Sequence, residues 1–272
     1  MSLMQLGAAL LTAENMTDGE QYLRQVLARY SVDTGPFSPL LDIQRQLTPL
    51  ITTWANGNMR WLAPSGSFAK GTAVHTGTDF DLFISLRRET EETLSEIYEK
   101  LVRKVAGAGF RPKRKNCSVG IRFHGYDVDL VPGRQLPGGI TTKHSLHRER
   151  DNSVWKMTDV QAHVAKVRGS MLLDEIRLFK IWRDRNGLEF PSFYLELILM
   201  DAMPIPFLIP KLEDRMQTGF AYIRDNILSA RIVDPANSNN VLSNELTIAE
   251  KRAIRAAASD AFDARYWSEF VW

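Results

Sequence analysis

Residues 79–86 read Asp-Phe-Asp-Leu-Phe-Ile-Ser-Leu. Side chains alternate along a strand, so Phe80, Leu82, Ile84 and Leu86 share one face while Asp79 and Asp81 share the other. A second stretch repeats the pattern: in 126–131, Tyr126, Val128 and Leu130 alternate with Asp127 and Asp129. With Ser118 to Phe123 before it, this stretch predicts a β-hairpin turning at His124-Gly125. The fold therefore needs an apolar core against one face of a sheet whose opposite face carries carboxylates.

Outward from these strands the period becomes helical. Thr17-Asp18-Gly19-Glu20 is a capping-box pattern, followed by Leu23, Val26, Leu27 and Tyr30 at helical spacing. Ser38-Pro39 supplies an N-cap and a first-turn proline for a helix carrying Leu40, Ile43, Leu47, Leu50 and Trp54, which Gly57 can end. A helix is predicted from about Glu91 to Val105 on Leu94, Ile97, Leu101 and Val105. From about residue 160 the chain reads helical to its end. Leu172, Ile176, Phe179 and Trp182 form a stripe, Pro191-Ser192 opens a helix that Pro204 ends, and Thr247-Ile248-Ala249-Glu250 opens the last. The expected architecture is α+β. A mixed sheet flanked by helices fills residues 1–160, an all-helical lobe fills 161–272, and the active site lies in the cleft between them.

Composition narrows the class. Of 272 residues 44% are hydrophobic, enough for a core, and 34 basic against 32 acidic side chains leave a net charge of only +2. That excludes a disordered chain and a uniformly basic nucleic-acid packer. One cysteine, Cys117, excludes a disulfide framework or a cysteine zinc cage within the chain. No run approaches the ~20 apolar residues of a membrane span, and no basic residue precedes the short apolar N-terminus. The expectation is a cytoplasmic protein with no membrane partner.

Three aspartates on one sheet face, Asp79, Asp81 and Asp129, repel one another unless cations lie between them. Hard oxygen ligands suit magnesium, with manganese as a substitute. Such a set can hold two ions about 4 Å apart, the arrangement of phosphoryl and nucleotidyl transfer. An isolated Asp-x-Asp also fits a solvated turn. Upstream lies Gly66-Ser67, with Lys70, Gly71 and Thr72 behind it. A glycine allows close backbone approach to phosphate, and amides at a helix start with the Ser67 hydroxyl can hold a polyphosphate.

Gly66-Ser67-Phe68-Ala69-Lys70-Gly71-Thr72, then Thr78-Asp79-Phe80-Asp81-Leu82, resembles the signature of the DNA-polymerase-β-like nucleotidyltransferases, and Asp129-Leu130-Val131-Pro132 resembles their third-carboxylate strand. The resemblance implies catalytic, metal-holding roles for Asp79, Asp81 and Asp129, with Asp127 a neighbour off the motif. The helical half narrows the likeness. Val154-Trp155-Lys156-Met157-Thr158-Asp159, Leu178-Phe179-Lys180-Ile181-Trp182-Arg183, Pro191-Ser192-Phe193-Tyr194-Leu195-Glu196, and Asp234-Pro235-Ala236-Asn237 with Asn239-Asn240 are similar to the bacterial cGAS/DncV-like nucleotidyltransferases. Val160 stands where that pattern has proline.

That family joins nucleoside triphosphates into cyclic oligonucleotide second messengers for anti-phage defence, releasing pyrophosphate. A dinucleotide is the expected product here, from ATP, GTP, UTP or CTP, made by a monomer and sensed by a separate effector protein. The resemblance implies donor-triphosphate contacts from Gly66, Ser67, Lys70, Lys180 and Ser192. Lys180 also reads as a solvated helix lysine and Ser192 as a helix cap, and Tyr194 either stacks on a base or fills the core.

Between Lys100 and Tyr126 lie eight basic residues and no acid: Lys100, Arg103, Lys104, Arg111, Lys113, Arg114, Lys115 and Arg122. Residues 111–115 are expected in a loop that either is solvated, gathers triphosphates or binds nucleic acid, although no aromatic residue lies among them to stack a base. Nucleic acid is not required by the proposed reaction. His144, His147 and His163 lack zinc-motif spacing and read as polar surface or cleft residues. A CCA-adding-like RNA-terminal transferase and a small-molecule nucleotidyltransferase are the alternative enzymes, and a nucleotide-binding antitoxin is the non-enzymatic reading.

Overall fold

A computed structural model describes residues 17–75, 79–138, 141–148, 155–209 and 211–272. The described chain forms two compact units. One comprises residues 32–169 with 233–240, and the other comprises the N-terminal residues to Ser31, 170–232 and 241–272.

The first unit is built on a seven-stranded mixed sheet. Helix α1 (Asp18–Tyr30) belongs to the other unit, so this one begins with α2 (Pro39–Ala55), followed by β1 (Met59–Pro64), the short α3 (Gly66–Lys70), β2 (Phe80–Leu86) and α4 (Leu94–Gly107). Next come β3 (Lys113–Arg114), β4 (Val119–Phe123), β5 (Tyr126–Gln135), β6 (His144–His147), β7 (Trp155–Thr158) and α5 (Val160–Arg168). The strand order is β1-β2-β5-β4-β3, with β6 paired to β5 and β7 to β6. The β4–β5 hairpin turns at His124-Gly125 as predicted, pairing Phe123 with Tyr126.

One sheet face is covered by α2 and α4. Leu40, Ile43, Leu47 and Ile51 join Ile97, Tyr98, Leu101 and Val105 over Phe80, Leu82, Ile84, Val119, Ile121, Val128 and Leu130. Each fully buried aliphatic side chain contributes about 1.5–3 kcal/mol, so these alternating positions set the faces of β2, β4 and β5. On the opposite face the acidic end lies before Phe83, where the surface becomes buried again. Gly133 there packs against Phe83, and Ser85 Oγ lies 2.8 Å from His144 Nε2. His144 is 1% exposed, with Nδ1 2.8 Å from the Thr142 carbonyl. The expectation of a surface histidine is therefore corrected for His144: a serine hydroxyl and a carbonyl oxygen satisfy both ring nitrogens inside the core.

The second unit contains α1 (Asp18–Tyr30), α6 (Leu173–Arg185), α7 (Ser192–Ala202), α8 (Leu212–Asn226) and α9 (Ile248–Asp263). Thr17 caps α1 by accepting from the Glu20 amide at 3.3 Å. Glu20 does not complete the capping box; its carboxylate takes Arg24 at 2.6 Å and the Glu213 amide at 3.2 Å. Those bonds, with Tyr22 donating to the Val271 carbonyl and Tyr30 to that of Trp272, each at 2.9 Å, place α1 in the helical unit. The expected boundary after residue 160 thus differs in three ways. α1 joins the later helices, α5 stays with the sheet, and residues 233–240 return to the sheet unit.

That return explains the Asp-Pro-Ala-Asn run. Strands β8 (Val233–Asp234) and β9 (Asn237–Val241) form a small hairpin. Asp234, 2% exposed, accepts from the Ala236 amide at 2.9 Å and from Asn240 at 3.1 Å, and it pairs with His163 of α5 at 2.7 Å. These bonds hold its carboxyl below its ordinary value although burial alone would raise it. Among the described residues no helix is long and apolar enough to cross a membrane.

Candidate active site

The parallel pairing of β2 with β5 decides the centre of the site. Its register sets Asp81 beside Asp129, with Phe80 beside Val128 and Leu82 beside Leu130. Two carboxylates 48 positions apart in sequence thereby become neighbours on one face. Asp127 instead faces Arg122 across the hairpin and pairs with it at 3.0 Å. Thr78 lies outside the described residues.

The glycine-serine loop is locked onto the same strand. The Ser65 amide donates to the Asp81 carbonyl at 2.8 Å, and the Thr72 amide donates to the Ser67 carbonyl at 2.9 Å. Gly66 opens α3 at φ +52°. A Cβ there would fall 2.7 Å from Asp81 Cγ and 3.1 Å from its Cβ, and closer still to Oδ2. Only glycine lets the loop backbone lie this close to the carboxylate. Arg168 of α5 donates to the Ala69 carbonyl at 2.6 Å and braces the end of the loop.

The three aspartates differ in environment. Asp79 is the open one, with 43% of its side chain exposed. Asp129 is 7% exposed, and Ser118 Oγ donates to its Oδ2 at 3.1 Å. Burial raises the Asp129 carboxyl, against the lowering effects of Lys115 and Ser118. Asp81 is pushed up to about 7, first by burial and then by the charges of Asp129 and Asp79, while Lys115 and Lys70 pull it down. An acid raised this far by burial, with like charges adding to it, marks a cluster that a bound cation would stabilise.

Lys115 and Ser118 are neighbours of the aspartates that sequence reasoning missed. The Lys115 ammonium is paired with Asp79 and lies 3.0 Å from Asp129 Oδ2. Asp129 Oδ1 is 2.9 Å from the same ammonium but has no hydrogen bond of good geometry. The available signal was position: both residues end a four-residue turn leading into β4, and Gly120 of β4 stands opposite Asp129. Among the described residues no three carboxylate or imidazole side chains already converge in metal-holding geometry. The donor set nevertheless fits a hard divalent cation. It offers three carboxylates, one of them with a buried oxygen that makes no well-formed hydrogen bond among the described residues, and a side-chain cation already stands between two of them.

The other expected nucleotide contacts divide. Gly66 and Ser67 lie partly exposed beside Asp81, whereas Lys70 is 8% exposed and its charge acts inward on Asp81. In the helical unit Ser192 begins α7, partly exposed, and its hydroxyl accepts from Arg183 at 2.9 Å. Lys180 does not lie at an exposed stripe edge. It is 3% exposed and pairs with the fully buried Glu196 at 3.0 Å. Tyr194 is 0% exposed, and burial pushes its phenol up to about 12. The expectation of base stacking by Tyr194 is corrected, because a ring with no exposed surface in the helical core has no face to offer.

The basic run is likewise less free than its composition implied. Lys100 pairs with Glu92, Arg114 with Glu99, Arg122 with Asp127, and Lys115 with the acid cluster. Half of the eight cations are thus committed inside the sheet unit, which weakens the nucleic-acid reading of 111–115.

No protein-family model matches the chain. Cyclic AMP-AMP-AMP synthase of Escherichia coli (strain MS 115-1) is 23% identical, covering 82% of this chain and 81% of that protein. CBASS oligonucleotide cyclase CdnC of Escherichia coli (strain KTE188) is 26% identical over 64% of this chain and 60% of its own length. The Bradyrhizobium diazoefficiens CD-NTase CdnG, solved in complex with GTP, shares the fold with a TM-score of 0.71 at 11% identity, covering 89% of this chain and 90% of that one. Sequence similarity across most of the chain and a shared architecture agree with the motif reading, and the chain is similar to the bacterial cGAS/DncV-like nucleotidyltransferases.

Proposed function

We propose that the protein is a metal-dependent nucleotidyltransferase that joins nucleoside triphosphates into a cyclic oligonucleotide signal for anti-phage defence and releases pyrophosphate. The observation that carries this reading is the parallel register that sets Asp129 beside Asp81, with Asp79 two residues before and the Gly66-Ser67 loop pinned to the same strand. The curated relatives support the class of product, one being named a cyclic AMP-AMP-AMP synthase and the other a CBASS cyclase. A three-membered ring therefore stands beside the dinucleotide expected from the sequence.

Asp79, Asp81 and Asp129 would hold two magnesium ions, which supply charge neutralisation at the transferring phosphate and acidify the acceptor hydroxyl. The chain's own contribution is positional. Gly66 brings backbone close to the Asp81 carboxylate, and the Ser67 hydroxyl beside it would meet phosphate oxygens. Ser118 orients Asp129 through its Oδ2. Ser192, beside the Arg183 guanidinium, is the phosphate contact proposed for the helical unit, favoured by its place at a helix start. Lys180 would join it only by leaving Glu196.

The test is to incubate the pure protein with magnesium and labelled triphosphates, with and without RNA, and then to add phosphatase. A phosphatase-resistant small product without RNA is expected, and chromatography against cyclic di- and trinucleotide standards reads the ring size. Asp79→Asn and Asp81→Asn should each abolish it while the fold is retained. Label confined to RNA, with no small product, would overturn the proposal in favour of an RNA-terminal transferase.

A further inference from the structure

The acid cluster contains a cation of its own. The Lys115 ammonium pairs with Asp79 and lies 2.9 Å and 3.0 Å from the two oxygens of Asp129. Those oxygens are the ones the proposed function assigns to metal. An ammonium has three donors and no lone pair, so it cannot become a ligand. A divalent ion on the same oxygens would also repel it.

The surroundings suit both holding and releasing this side chain. The Lys115 amide donates to the Ser118 carbonyl at 3.0 Å, closing the turn, and Ser118 in turn binds Asp129, so the backbone under Lys115 is anchored to its carboxylate partner. Gly120 leaves a track for the aliphatic stem: a Cβ there would lie 3.4 Å from Lys115 Cε and 3.1 Å from Asp129 Oδ1. The Lys115 side chain is 37% exposed on a flexible four-carbon stem, so its ammonium has solvent to move into. Lys115, with Lys70 acting on Asp81, sets two positive charges against three carboxylates, which favours exchange of the Lys115 ammonium for an ion of higher charge.

We propose that Lys115 is a resident counter-cation of the catalytic aspartates, holding Asp79 and Asp129 together before metal arrives and displaced when metal loads. The inference rests on the reading of these aspartates as metal ligands. It makes Lys115 a competitor of the cofactor as well as a stabiliser of the metal-free protein, so one substitution should move two quantities in opposite directions.

The experiment is titration of wild type, Lys115→Met, Lys115→Gln and Asp129→Asn with Mn2+ alone, read by electron paramagnetic resonance, alongside thermal unfolding in chelator and in saturating Mn2+. Both Lys115 variants should bind Mn2+ roughly tenfold more tightly, the scale of losing one partly exposed ion pair in a charge cluster. They should melt below wild type in chelator and draw level with or exceed it in Mn2+. Two variants guard against one that misfolds. If wild type binds Mn2+ and Asp129→Asn does not, yet neither Lys115 variant binds more tightly, the counter-cation is refuted and the metal site stands. An equal melting deficit with and without Mn2+ would likewise refute it, leaving Lys115 a structural ion pair. No binding by wild type or either Lys115 variant would overturn both readings.

Discussion

Replacing Gly66 with alanine puts two separable physical effects into the site. The first is backbone strain, since Gly66 has φ +52°, a region that costs a residue with a Cβ about 1–2 kcal/mol. The second is collision. The new Cβ would fall 2.7 Å from Asp81 Cγ, where ordinary contact begins at 3.4 Å, so the carboxyl carbon must retreat by at least 0.7 Å. Rotation about the side chain relieves this only by swinging the carboxylate out of its place in the site, and Asp81 Cβ, 3.1 Å away, must still give by a few tenths of an ångström. A misplacement approaching 1 Å at reacting groups lowers rate about 10²-fold. Gly57→Ala is the control: it imposes a Cβ at φ +81° with nothing within 4 Å. The shared backbone strain should lower Tm by about 2–8 °C in both variants for a unit of this size, with G66A losing more through the added collision. Turnover, measured as labelled triphosphate converted to phosphatase-resistant product, should fall about 10²-fold or more in G66A and stay within about threefold of wild type in G57A. A G66A enzyme with near-normal turnover would refute the claim that this glycine sets the position of Asp81, and equal activity losses in both variants would reduce the effect to backbone strain.

Other expectations follow from side chains the structure turned inward. Lys180→Met or Glu196→Leu alone should destabilise by about 3–5 kcal/mol, since each removes the other's buried ion-pair partner, and the double variant should recover part of that in thermal unfolding. A lone Lys180→Met with unchanged Tm would contradict the buried pair. Tyr194→Phe removes a buried hydroxyl that has no hydrogen-bond partner among the described residues, so it should leave stability equal or higher and nucleotide affinity unchanged; lost affinity by calorimetry would restore Tyr194 to the binding site. Asp234→Asn should destabilise at pH 7. Because the folded-state carboxyl is held below its ordinary 3.8, its stabilisation is present above that value and lost as pH falls through the lower folded one. The Tm gap to wild type should therefore close below about pH 4, and a gap that persists or widens in acid would contradict the assignment.

The acid strands were legible in the sequence because alternation over Phe80 to Leu86 and Tyr126 to Leu130 states which side chains share a face. Asp129 over Asp127 rested on motif position, and the register of β2 against β5 supplied the physical reason. Lys115 was hidden because composition grouped it with seven other cations, and no period in the sequence indicates that a turn would bend it back over Gly120. Lys180 was misplaced, and Tyr194 left open between base and core, for the converse reason. The stripe reading assumed one buried face on each helix, but Ile181 and Trp182 beside Lys180, and Leu195 beside Tyr194, are also buried, so these helices are enclosed on several sides.

Local chemistry therefore sufficed for the elements and the reactive vocabulary: caps at Thr17, Ser38 and Thr247, the His124-Gly125 turn, the glycine-serine loop and three aspartates on one sheet face. These depend on interactions a few residues apart, which spacing encodes directly. Tertiary structure alone decided the pairing of Asp81 with Asp129, the capture of α1 by the helical unit, the withdrawal of Lys180 and Tyr194 from solvent, and the seating of Lys115 among the carboxylates. Each depends on which distant surface covers a given face, and burial and charge partnership are properties of that cover rather than of the covered segment.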